Sequence, residues 1–236
     1  GFSYTEIDPT RATRSGVLEI TIPEEWDPGV LFQLAMEILS QGPVDALVGG
    51  HVMRFSDMRR AGAFWQFYRW SARFIGLDVQ VPEETAWKTP SYVPAPSWLT
   101  FVGARPLAFH ERTAAEFQQR AWQEQVAAMP IGDGVLLRAG ELPSTGDLNR
   151  MDFPAAYAEV ARALEPCQIP EPQKCWGPFD RNGDTLLWSR RVVDAGYRDT
   201  NKAMLALFDK LCAGSFMLKG ETHPRLPPDW ETCPFV

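Results

Sequence analysis

The sequence is poor in the side chains from which most enzyme sites are built. Its 236 residues hold three histidines, His51, His110 and His223. None stands in HExxH or another metal-spaced pair, which excludes the common histidine zinc sites. The four cysteines, Cys167, Cys175, Cys212 and Cys233, are separated by 8, 37 and 21 positions, so there is no CxxC and no cysteine zinc site. No GxSxG turn presents a serine nucleophile, and no GxGxxG or GxxxxGK[ST] loop cradles a nucleotide phosphate. No catalytic, metal or cofactor set emerges. No apolar run approaches the roughly 18 residues a membrane helix needs, and no signal-peptide pattern opens the chain. A reduced cytoplasmic protein with no membrane contact is the expectation, disulfides following only from export. Cations are also short: 23 Lys and Arg against 30 Asp and Glu give a net charge of −7 and a pI near 5.1. Binding nucleic acid through its phosphates is excluded as a general mode. Either solubility alone or a basic partner, such as a cationic enzyme cleft, explains the balance.

What is present is a core. Hydrophobic residues make up 45% of the chain, with nine Trp and fourteen Phe, enough to fill a large α+β domain without staples. Residues 1–15 are polar and expected to be flexible. Residues 17–22, "VLEITI", alternate as a strand does. Asp27 before Pro28 reads as a helix N-cap with proline at the first helical position, and Gly42-Pro43 as the stop near Ser40. Residues 45–55 read as a strand bent at Gly49-Gly50, 58–75 as an aromatic-rich helix, and 98–103 as a strand. Four prolines (82, 90, 94 and 96) mark 78–97 as an ordered but irregular crossing. Residues 111–129 read as one helix, 134–140 as a strand, and 154–164 as a helix opened by Pro154. A strand or short helix is expected at 184–192, and a last helix over 199–212. The expected fold is one compact α+β domain over 16–236, an antiparallel or mixed sheet flanked by helices. "GVLEITIPEEWDP" and "GVLLRAGELPSTGDLNRMDFP" echo each other, suggesting related strand–helix halves at about 16–103 and 104–236.

Each chemical candidate meets a plainer reading. His110, between a strand and a helix, fits a capping or surface histidine better than a base. Asp180, Asn182 and Asp184 fill the first three places of a calcium loop, but Thr185 stands where glycine is needed and Arg191 where a bidentate Glu is needed. Asn182-Gly183 is better read as a tight turn. Arg54, Arg59, Arg60, Arg69 and Arg73 alternate with Phe64, Trp65, Phe67, Tyr68 and Trp70. Such a helix could stack bases, but on an acidic protein it reads as one that buries its rings and leaves its arginines in solvent. Gly132-Asp133-Gly134 precedes a strand and is a turn. Glu24/Glu25 and Glu83/Glu84 have no partner for proton transfer.

One block is more specific. "PIGDGVLLRAGELPSTGDLNR", then "FPAAYAEVARALEP", then "TLLWSRR" supply Ala139, Gly140, Pro143, Gly146, Asp147, Asn149, Tyr157, Leu164, Pro166, Trp188 and Arg191. In this pattern the chain resembles the type VI secretion immunity protein family. The resemblance implies a protein that binds and neutralises a cognate secreted toxin, a nuclease-like effector with a basic cleft, and is itself no enzyme. Two alternatives stay open: an enzyme that reverses toxin damage with His110 or His223 as base, and a scaffold of the same fold. It leaves room for a homo-oligomer. Gly146-Asp147 then reads as a structural turn, Asp147 and Asn149 bonding nearby backbone amides. Toxin contact is expected away from the motif, at the acidic loop residues Glu141, Asp152, Glu171, Asp180 and Asp184, with Trp176 as an aromatic anchor.

Overall fold

In the computed structural model, residues 2–5, 16–23, 25–52, 70, 73–78, 88–169 and 192 are described. The chain divides into two units, Gly1–Asp199 and Thr200–Val236, and every described residue belongs to the first. The helix expected at 58–75 lies mostly outside the described residues. The elements expected at 184–192 and 199–212 lie outside them but for Val192.

The Asp27-Pro28 signal works as read. Helix α1 spans Pro28–Gln41; the Asp27 carboxylate accepts the Gly29 N–H at 2.9 Å, and the helix ends at Gly42. Upstream, strand β1 (Phe2–Thr5) pairs antiparallel with β2 (Val17–Ile20). Phe2–Thr5 thus form a strand within the segment expected to be flexible, of which 6–15 lie outside the described residues.

The core is a second sheet of four antiparallel strands in the order β3-β4-β6-β5, where β3 is Ala46–Gly49, β4 Leu99–Val102, β5 Val126–Ile131 and β6 Gly134–Ala139. Together with the helices it makes the fold α+β, as expected. The two central strands, β4 and β6, are apolar but for Thr100 and Arg138 and are almost wholly buried. In β4 only Thr100 is polar, and its hydroxyl is engaged with the backbone of Ser97. Leu99 faces Arg138, and Phe101 faces Leu136. On this face α1 brings Leu31 against Gly49 and sets Phe32 under the Arg138 guanidinium at 5.2 Å. The two "GVL" strands have unlike settings: β2 lies in the two-stranded ribbon and β6 at the centre of the four-stranded sheet.

The helix expected over 111–129 is the main correction. Helix α2 (Ala104–Phe109) precedes this stretch, α3 covers only Ala114–Gln119, and Val126–Ile131 is strand β5. Helix α3 starts at a capping box between Thr113 and Glu116 and stops where Arg120 turns extended. Two buried-side devices then fix an extended path. The Trp122 indole N–H donates to the Phe117 carbonyl at 3.1 Å, and the Glu159 carboxylate accepts the N–H groups of Gln123 and Glu124, both at 2.8 Å. Beyond them β5 pairs with β6 over six residues through the Gly132-Asp133 turn. Pairing with a central strand overrides the local helical period. Pro130 is tolerated because β5 is an edge strand of the sheet.

Helix α4 (Ala155–Leu164) follows Pro154 and buries Tyr157, Glu159, Val160 and Leu164. Its continuation, a short 3-10 turn at Glu165–Cys167, receives the irregular crossing segment: Val93 donates to the Cys167 carbonyl and accepts from the Ile169 N–H. Cys167 is fully buried, and burial pushes its thiol pKa up, so it is a packing group rather than a nucleophile.

Candidate functional site

The stretch singled out in the sequence, running from Gly140 to Asp152, leaves the end of β6 as a loop and returns to α4. Gly140 and Gly146 hold φ of +87° and +58°, the left-handed region that glycine enters without a Cβ clash. At Gly146 a side chain is excluded twice, since a Cβ would also stand 2.8 Å from Pro154 Cδ. The Asp147 and Asp152 backbones exchange both hydrogen bonds, at 2.9 and 3.0 Å, and a 3-10 turn over Leu148–Arg150 lies between them.

The loop is held from its buried side by two further elements. From α4, the Tyr157 hydroxyl accepts the Ser144 N–H at 2.9 Å, and the Ser144 hydroxyl in turn accepts the Gly146 N–H at 3.1 Å. From the segment 73–78, the Arg73 guanidinium grips Asp147 in a two-pronged ion pair, Nε to Oδ1 at 2.8 Å and Nη2 to Oδ2 at 2.7 Å. Both side chains are buried, at 4% and 10% exposure. Three residues later the Gly76 N–H donates to the Thr145 carbonyl at 2.6 Å. The approach there is so close that a Cβ on Gly76 would lie 2.2 Å from the Ser144 carbonyl oxygen. Two expectations are corrected here. Arg73 is not a solvated arginine, and the Asp147 carboxylate bonds a distant guanidinium, while its backbone N–H and carbonyl make the turn's hydrogen bonds. The physical reason is shared: each charge lies where water is excluded, so each needs an opposite charge in fixed geometry.

Tyr157 carries a pH signature. Burial pushes its hydroxyl up to about 12, with the Ser144 N–H pulling the other way. The folded state thus keeps the phenol protonated where the unfolded chain would ionise it, near pH ~10. The contribution of this group is intact below about pH 10 and is lost as pH climbs towards about 12. Tyr157→Phe should flatten the decline in melting temperature between about pH 10 and 12 relative to wild type, while costing about 1 kcal/mol at neutral pH for the abandoned Ser144 N–H. Parallel alkaline declines in the two proteins would count against this.

Glu141 and Asp152, two of the expected contact residues, are exposed on this same loop, and Pro143 is half-buried in it. Asn149 lies in the 3-10 turn, its side chain outside the described set. Glu171, Trp176, Asp180, Asp184, Trp188 and Arg191 lie outside the described residues, as does His223, so the structure does not bring them to the loop or separate them from it. His51 contributes its carbonyl to the Asp78 N–H. His110 ends α2; its Nε2–H donates to the Ser91 carbonyl at 2.9 Å, and its ring meets Tyr92 and Phe109 edge-on, at 5.1 and 5.0 Å. It is the C-cap of α2, in keeping with the capping histidine of the plainer reading.

Sequence reasoning missed the loop's most exposed side chains. Leu142 is 62% and Met151 61% exposed, and Met151 holds a φ of +58°. Among the described residues they are the most exposed large hydrophobics, ahead of Phe109, Trp26, Leu18, Val30 and Val52. Apolar residues inside a polar, proline-bearing loop were the available signal. The exposed charges of the loop are two carboxylates, Glu141 and Asp152, and one guanidinium, Arg150, whose Nε stands 3.6 Å from Asp147.

A family model described as "TsiV: Type VI immunity for VRR-NUC" matches residues 1–191. Among solved structures, the chain is similar to the Pseudomonas aeruginosa T6SS protein PA0821, with 20% identity and a TM-score of 0.52 over 82% of this chain. The likeness supports the fold, and the chain spans about half the length of that structure, 54%. No curated protein matches the sequence.

Proposed function

The chain belongs to the TsiV family, type VI immunity for VRR-NUC, and from that premise we propose that it neutralises a cognate VRR-NUC nuclease effector. It does so by forming a stoichiometric complex and not by turnover. The observation that carries this reading is the family match across residues 1–191 of 236. Two physical features support it. A nuclease that grips DNA must present cationic groups to the phosphates, and this chain has a net charge of −7. Opposed fields steer two such proteins together and disfavour wrong partners. The one described histidine placed for acid–base work, His110, spends its Nε2–H on a backbone carbonyl. The site of action is the cytoplasm, where a nuclease would meet the chromosome; no described helix is long and apolar enough to cross a membrane.

Titration decides between inhibition and repair. Plasmid cleavage by the purified VRR-NUC domain of the cognate effector should fall in proportion to added protein and vanish at equimolar amounts, with a complex recovered by gel filtration. Full protection at strongly substoichiometric amounts, without a complex, would point instead to an enzyme that undoes the damage.

A further inference from the structure

We propose that Leu142 and Met151, flanked by Glu141 and Asp152, form the toxin-contacting surface of this chain. The proposal rests on the immunity reading above and names the surface that serves it. The occupant is a patch on the VRR-NUC domain that combines an apolar recess with surrounding Lys and Arg.

Four observations converge on this loop. First, Leu142 and Met151 lead the described large hydrophobics in exposure, at 62% and 61%. Phe109, the next, is occupied within the protein by edge contacts to Tyr92 and His110. Second, these side chains stand on a backbone that is already fixed. The ion pair of Arg73 with Asp147, the Tyr157–Ser144 bond and the Gly76–Thr145 bond hold the loop from its buried side. A loop ordered before binding loses little conformational entropy in the complex, so its apolar burial appears as affinity. Third, Met151 keeps a left-handed φ of +58°. A residue with a Cβ adopts this conformation only under strain, and here the side chain that sits on it is an exposed thioether. Fourth, the carboxylates of Glu141 and Asp152 are exposed alongside, with Arg150 as the single exposed cation of the loop. Their sign suits a surface built to hold DNA phosphates and opposes an anionic membrane. The division of labour also reconciles a structural turn with a contact surface. Gly146, Asp147 and Leu148 are buried as the frame, while Glu141, Leu142, Met151 and Asp152 project from it.

The test uses the full chain and the VRR-NUC domain of the cognate effector, with binding measured by calorimetry and folding by thermal melts. Leu142→Ser and Met151→Gly should each weaken binding by about 10-fold or more, and the pair by about 100-fold or more, with the melting temperature kept within about 3 °C of wild type. Met151→Gly is the sharper variant. Glycine relieves the left-handed strain, so a side chain with only a structural role would show no loss of affinity there. Trp26→Ser and Phe109→Ser, at other exposed positions, should change affinity by less than about 3-fold. Glu141→Lys with Asp152→Lys should slow association by about 10-fold at low salt, the difference fading as salt screens it. If Leu142→Ser and Met151→Gly bind as tightly as wild type, the surface is elsewhere and the immunity reading stands. The surface is likewise elsewhere if Trp26→Ser or Phe109→Ser abolishes binding, or if the loop proves to join two copies of this chain. If the wild-type chain itself does not bind the VRR-NUC domain, the immunity reading fails and this surface with it.

Discussion

Asp147→Ala should destabilise the protein by about 3–5 kcal/mol, because it strands a buried guanidinium without its counter-charge. For a domain whose total stability is of order 5–15 kcal/mol, that places the variant near the folding threshold. Arg73→Ala should cost a similar amount for the mirror-image reason. The two losses should not add. Once one partner is gone the other has little left to lose, so Arg73→Ala with Asp147→Ala should be well above the stability expected from the sum of the singles, with a coupling energy of about 2–3 kcal/mol. The other cation at the loop, Arg150, is 3.6 Å from Asp147 and 77% exposed. Water screens it, and Arg150→Ala should change stability by less than about 0.5 kcal/mol. Urea melts of the four variants decide the matter. A cost below about 1 kcal/mol for Asp147→Ala, or strict additivity with Arg73→Ala, would show that the pair does not hold the loop. Because the loop carries Leu142 and Met151, the same variant should also lose toxin binding, but only together with its melting temperature. Weakened binding at unchanged stability is the defect expected of the exposed residues Glu141, Leu142, Met151 and Asp152, and the two classes of defect are therefore separable.

How far the sequence could be read depended on whether the deciding signal was local. Helix α1 was legible because everything that starts and stops it lies within it: Asp27 accepts the Gly29 N–H, Pro28 fits the first turn, and Gly42 ends it. Strands β4 and β6 were legible as short apolar runs, since both faces are buried. The Gly-rich loop was legible as a turn from Gly140 and Gly146, and both glycines do take left-handed φ. What failed was whatever depends on a partner far along the chain. Arg73 and Asp147 are 74 positions apart, and neither side chain carries a sign of the other. Arg73 therefore read as one more solvated arginine on an aromatic helix. Likewise Val126 continues the apolar face of 111–129 when taken alone; the hairpin with β6, itself held by the more distant β4, and the Glu159 carboxylate beside the approach to β5 make Val126–Ile131 a strand. The candidate contact surface was half legible. The acidic residues Glu141 and Asp152 stood out by charge, whereas Leu142 and Met151 offered only the weaker signal of apolar residues in a polar loop, which the bracing of that loop from within makes readable.

Glu159 illustrates the same limit and yields the second large effect expected. Glu159, a glutamate within α4 between Tyr157 and Val160, carries no local sign of its partners and is only 5% exposed. Its two oxygens accept one N–H each, from Gln123 and Glu124, and so fix the chain as it leaves α3 and enters β5. Glu159→Ala removes both acceptors and should cost about 3 kcal/mol, the amides being left to whatever water can reach them. Glu159→Gln is the more telling change. It preserves shape and helix propensity, but an amide offers one acceptor oxygen and one donor nitrogen, so one of the two backbone N–H groups would face a donor. Glu159→Gln should therefore be nearly as damaging as Glu159→Ala, losing about 2 kcal/mol or more. Hydrogen exchange should place the damage. Amides of β5 at the sheet edge should lose protection first, while those of β4 and β6 at its centre should open only with global unfolding. Wild-type stability in Glu159→Gln would mean that a single acceptor suffices. The extended path into β5 would then have to be held by strand pairing with β6 alone.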